Sequence, residues 1–133
     1  MHTLLTESDF VSVHVPLTAE TQHLISAAAL AKMKPTAVLV NTARGPVIDQ
    51  DALIAALQNG TIYAAGLDVT TPEPLPADNP LLHLPNCIVL PHIGSATIEA
   101  RDAMSSIAAR NLIAVLQGEQ PLHIVNPEVL TTT

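Results

Sequence analysis

The chain has 133 residues, 48% of them hydrophobic and 13% charged, with a formal net charge of −7. That is enough for one domain with a real core, and too apolar for a disordered segment. The acidic balance opposes nucleic acid and anionic membrane surfaces, and with Phe10 and Tyr63 as the only aromatics there is no base-stacking platform.

The N-terminal run MHTLLTESDF has no basic region followed by a long apolar stretch, so neither a signal peptide nor a membrane anchor is expected. Phe10 to Val15 alternates large apolar with small or polar residues, which predicts a strand that Pro16 stops. Ser26 is a candidate cap for a short helix over Ala27 to Met33, with Lys32 and Lys34 near its negative end and a break at Pro35. Ala37 to Val40 predicts a second strand. Its uninterrupted apolar run is what a sheet covered on both faces shows.

Asp49 is placed to cap a helix over Gln50 to Asn59, and Gly60 to take the left-handed position after it. Leu53, Ile54, Ala56 and Leu57 give that helix an apolar stripe. Ile62 to Val69 predicts a third strand. Thr70 to Asn86 carries five prolines, and a loop of this length inside a domain is usually functional. Cys87 to Leu90 predicts a fourth strand. From Thr97, apolar residues from Met104 to Leu116 recur at three- and four-residue spacing, predicting a long helix that ends at Gly118. Asn111 interrupts that stripe, and the pattern offers no reason for it. The tail from Glu119 shows no clear element.

Strands alternating with helices predict an α/β fold with a parallel sheet. In such a sheet the carboxyl ends of the strands face one crevice. Three of the predicted strands run into polar residues there: Arg44, Asp68 with Glu73, and His92. Between Pro35 and Ala100, Arg44 is the sole Lys or Arg, so it is the charged side chain available to an anion. Alone, an arginine after a strand is ordinarily a surface ion-pair partner, a histidine before glycine is structural, and Asp68 caps a turn. A metal site built from His92, Asp68 and Glu73 has no His-rich spacing behind it. Cys87 is a lone thiol, which excludes an intrachain disulfide and suits the cytoplasm.

The segments HVPLTAETQHLI, VLVNTARGPVIDQDALIAALQNGTIYAAGLDV, PEPLP and LPHIGSAT resemble the D-isomer-specific 2-hydroxyacid dehydrogenases over nearly the whole chain, nearest the glyoxylate/hydroxypyruvate reductase branch. The resemblance implies an oxidoreductase that reduces a small 2-keto acid with NAD or NADP and no metal. It implies Arg44 on the substrate carboxylate and keto oxygen, His92 as proton donor to the carbonyl, and Glu73 on the other imidazole nitrogen. It implies Asp68 beside the nicotinamide carboxamide, with Pro16, Thr42, Ala43, Gly94 and Ser95 along the cofactor. His2, His14, His23, His83 and His123 are left as structural or surface residues.

The family fold is a doubly wound Rossmann-type sheet whose first half carries a glycine-rich turn, G-x-G-x-x-G, for the pyrophosphate. None of the five glycines here stand at that spacing. The chain is therefore expected to be the C-terminal half of the sheet followed by the long helix. Residues 1–97 would be a partial NAD(P)-binding domain, and 98–133 a helix and tail returning toward a substrate domain. The full-length form would be a homodimer. A second expectation stands beside this one: a non-catalytic module that self-associates or pairs with a full-length relative through an exposed sheet edge.

Overall fold

A computed structural model describes residues 1–131. It divides into two compact units, Met1–Gly94 and Ser95–Thr133. The first unit opens with a short helix, α1 (His2–Glu7), followed by β1 (Phe10–Val13), α2 (Ala27–Leu30), β2 (Val38–Asn41), α3 (Gln50–Gln58), β3 (Ala64–Leu67) and β4 (Cys87–Val89). The four strands form one sheet in the order β1-β2-β3-β4, every neighbouring pair parallel. All four carboxyl ends consequently lie along one edge. The predicted fold class is observed, and from β1 onward the strands and helices follow the predicted order.

Register explains the core. Val11, Leu39, Ala65 and Cys87 align across the sheet, as do Val13, Asn41, Leu67 and Val89. Side chains alternate faces along a strand, so these two rows share one side. Leu30 of α2 and Leu53 and Leu57 of α3 join them in a single apolar cluster. Asp49 caps α3 as predicted, accepting from the Ala52 N–H at 3.1 Å, and Gly60 takes the left-handed conformation with φ of 66°.

Several local expectations are corrected. The apolar run of β2 predicts two covered faces, but in the first unit Val38 and Val40 are half-buried, as is Ala64 beside them, and Phe10 and Ile88 are exposed. The pattern records that a face is apolar, not what lies against it. The helix predicted over Ala27 to Met33 stops at Leu30, and the Ser26 side chain makes no capping hydrogen bond. Lys34 does not close that helix; its ammonium pairs with Asp9 at 2.9 Å. The proline-rich loop contains a 3-10 turn, Pro80–His83, which Asn79 caps through the Leu81 N–H. A local cap with a single turn leaves no periodicity to read.

The second unit is built on α4 (Ile98–Leu116), capped by Thr97, whose hydroxyl accepts from the Ala100 N–H at 3.2 Å. Gly118 follows with φ of 74°. Here Asn111 finds its reason. Its carboxamide donates to the His123 carbonyl and accepts from the His123 N–H, tying the tail to the helix within that unit. A further 3-10 turn spans Pro127–Thr131, where no element is expected.

Candidate active site at the strand ends

β2 ends in Asn41, whose carboxamide is almost wholly buried at 1% exposure. It accepts from the Ala43 N–H and donates to the Arg44 carbonyl, each at 3.0 Å. A buried amide satisfied at both ends shapes the turn that carries Thr42, Ala43 and Arg44. The next residue has no room for a side chain: a β-carbon at Gly45 would collide with the Thr70 carbonyl. The loop after β2 therefore packs against the loop after β3. Arg44 itself is exposed, and one Nη1–H donates to the Ala43 carbonyl at 2.7 Å; among the described residues the rest of its donor fork has no partner.

Pro16, Thr42, Ala43 and Arg44 line one open cleft together with His14, Val15 and Leu17, about 540 Å³ in volume. The Pro16 carbonyl accepts from the Thr21 hydroxyl at 2.6 Å, which closes the loop after β1 on itself. A second cleft, also about 540 Å³, is lined by Thr70, Glu73, Pro74, Leu75, Leu82, Val89, Leu90, Pro91 and His92. Both lie in the size range of small-molecule sites.

In the second cleft the His92 Nδ1–H donates to Glu73 Oε1 at 3.1 Å, with both side chains partly open to solvent. This bond assigns the tautomer. With Nδ1 committed to the carboxylate, Nε2 is the nitrogen left for a ligand. The Glu73 loop is itself tethered, because the Gln50 carboxamide donates to the Thr71 carbonyl at 2.6 Å and accepts from the Thr71 N–H at 2.9 Å. Asp68, 5% exposed, accepts from the Ile93 and Gly94 N–H groups. Ser95 falls in the second unit. Among the described residues, no three of His, Cys, Asp and Glu converge as a metal cage, and no helix is long and apolar enough to cross a membrane.

The structure thus brings four of the anticipated residues to one cleft and the His92–Glu73 pair to another on the same edge of the sheet. It adds Asn41, Gln50, Gly45 and Thr70 as the groups that shape the loops. Sequence reading passes over Asn41, although a polar residue closing an apolar strand is a local signal for it, whereas the Gln50–Thr71 tether spans 21 positions and leaves no local trace.

The sequence model of the family described as D-isomer specific 2-hydroxyacid dehydrogenase, NAD binding domain, matches residues 1–94. The chain belongs to this family. Its match ends where the first compact unit ends. Among the dehydrogenases it resembles, glyoxylate/hydroxypyruvate reductase B of Pectobacterium atrosepticum is 59% identical over 130 residues, covering 98% of this chain and 41% of that protein. The crystal structure of TT0316 protein from Thermus thermophilus superimposes with a TM-score of 0.90 at 50% identity, covering 93% of this chain and 40% of the other. A D-lactate dehydrogenase with NAD+ from Lactobacillus jensenii gives a TM-score of 0.87 at 38% identity, covering 93% and 41%. The chain spans about two fifths of the length of the relatives it matches.

The residues present suit part of the family's dinucleotide. The cleft at Pro16 and Thr42–Arg44 sits at the strand ends where open α/β sheets take ligands. A glycine-rich cradle for the pyrophosphate is not among these residues.

Proposed function

We propose that the chain is the catalytic portion of an enzyme that reduces a small 2-keto acid to the 2-hydroxy acid with a nicotinamide cofactor, NAD or NADP, and that alone it turns over little or nothing; glyoxylate and hydroxypyruvate are the substrates for which its relatives are named. One observation carries the reading: the His92–Glu73 hydrogen bond, at 3.1 Å, on the sheet edge that also presents Arg44. The cofactor, when bound, supplies the hydride. Every other step falls to the chain's own groups.

In this reading the Arg44 guanidinium holds the substrate carboxylate through parallel, charge-assisted N–H bonds, which both bind and orient it. The His92 Nε2 carries the proton that goes to the carbonyl oxygen, and takes it back in the oxidative direction. Glu73 engages the Nδ1–H, which favours the ring orientation that leaves Nε2 for the substrate. Pro16, Thr42, Ala43, Gly94 and Ser95 lie along the cofactor, and the remaining acceptor capacity of Asp68 serves the nicotinamide carboxamide. Residues 1–97 form part of the cofactor domain and 98–133 lead back to a substrate domain. Homodimer formation and a cytoplasmic setting belong to the same proposal; the half-buried lone thiol of Cys87 supports the latter.

The test is a chimera in which this chain replaces the matching 130 residues of the Pectobacterium relative. A folded chimera that oxidises NADH or NADPH with glyoxylate or hydroxypyruvate bears the proposal out. A folded chimera that binds cofactor yet turns over neither acid defeats it.

A second reading, that the chain works as a non-catalytic pairing module, rests on β1. Among the described residues this strand pairs with β2 alone, leaving one edge open. Sedimentation of the 133-residue chain decides it: a concentration-dependent dimer supports pairing, and a monomer at all concentrations removes its basis.

A further inference from the structure

The residue after β3 is the buried Asp68, and both of its carboxylate oxygens are engaged. Oδ1 accepts from the Ile93 N–H at 2.8 Å and Oδ2 from the Gly94 N–H at 2.7 Å. These are short bonds to an ionisable acceptor, the stronger class of hydrogen bond. Two successive backbone N–H groups converging on one anion form a nest, which requires a left-handed residue in the turn. That residue is His92, with φ of 55°. A β-carbon disfavours this region, so a histidine stays there only where its surroundings hold it.

The geometry points to Asp68 as the positioning residue for His92. Glu73 fixes the ring at Nδ1, but that bond joins side chains 46% and 39% exposed and competes with water. The Asp68 clamp is buried and acts on the backbone. It sets the turn from which the imidazole projects. Gly94 is part of the same device, because a β-carbon there would lie 2.9 Å from Asp68 Oδ2. The sequence PHIG then has a physical reading: a left-handed histidine, two N–H groups aimed at one carboxylate, and a glycine where that carboxylate approaches too closely for a side chain. The consequence for turnover rests on His92 being the proton donor proposed above; the clamp itself does not.

Nuclear magnetic resonance of the isotope-labelled 133-residue chain tests the clamp without cofactor or substrate. In the unaltered chain the Ile93 and Gly94 amides should exchange with solvent about 10- to 100-fold more slowly than open-loop amides, although neither lies in a helix or strand. Asp68→Asn should abolish that protection and move the His92 ring signals toward those of an unstructured histidine. Gly94→Ala, which leaves Asp68 in place but displaces its Oδ2, should move the same signals. Free exchange in the unaltered chain would overturn the inference, even if Asp68→Asn failed to fold. So would unchanged His92 signals in either folded variant, including one merely less stable. A protected clamp in this chain, beside a folded chimera that binds cofactor yet reduces neither keto acid, would defeat the proposed function and leave this inference standing.

Discussion

Asn41 and Cys87 both sit on the core side of the sheet, and their chemistry sets opposite expectations. Asn41 is buried but fully occupied by the Ala43 N–H and the Arg44 carbonyl. Asn41→Leu keeps the volume and orphans both partners, so it should cost about 2 kcal/mol or more. Urea unfolding should show a lower midpoint at unchanged slope; a midpoint equal to that of the parent would remove Asn41 from the account of the Arg44 turn. Cys87 has no such partner, and burial pushes its thiol up from 9.0 to about 11. At pH 8 its thiolate population, and hence its alkylation rate, should be roughly 100-fold below that of the unfolded chain. The folded state holds this proton more tightly than the unfolded one. Its share of stability is therefore full below about pH 9 and is lost as pH rises toward about 11. Equal alkylation rates with and without denaturant would contradict the burial.

At the scale of elements, two loops depend on residues that show their purpose differently. Asp49→Ala removes the cap of α3 and should cost about 1 kcal/mol, visible in thermal unfolding. Gly45→Ala should cost about 1–3 kcal/mol by forcing the loops after β2 and β3 apart; an unaltered melting temperature would contradict their close packing. The first effect was legible in the sequence, since Asp before an amphipathic run is a local signal. The second was not, because the obstacle is Thr70, far along the chain and on another loop. The same contrast runs through the whole fold. The succession of strands along the chain, the α3 cap and the long helix follow from local pattern, with ends drawn in by a few residues, as at Leu30 and Val13. The Asn111–His123 tie, the Gln50–Thr71 tether and the Lys34–Asp9 pair are non-local and leave no periodicity. At the candidate site, the polar residues after each strand stood out in the sequence, whereas their grouping into two clefts and the Asp68 bonds to the Ile93 and Gly94 N–H groups required the fold.

For the molecule as a whole, four parallel strands put Arg44, Glu73 and His92 on one edge, and the proposed function assigns that edge its chemistry. In the proposed reaction the labour is divided: Arg44 handles the substrate carboxylate, His92 the proton, and neither carries the cofactor's affinity. The most direct measurement is steady-state reduction of hydroxypyruvate by the chimera carrying Arg44→Ala or His92→Ala, beside fluorescence titration of each with NADH. Arg44→Ala should lower kcat/KM for the keto acid by about 100-fold or more. His92→Ala should lower kcat by about 100- to 10,000-fold. NADH affinity should be retained in both. Hydroxypyruvate kinetics unchanged by either substitution would contradict the central claim.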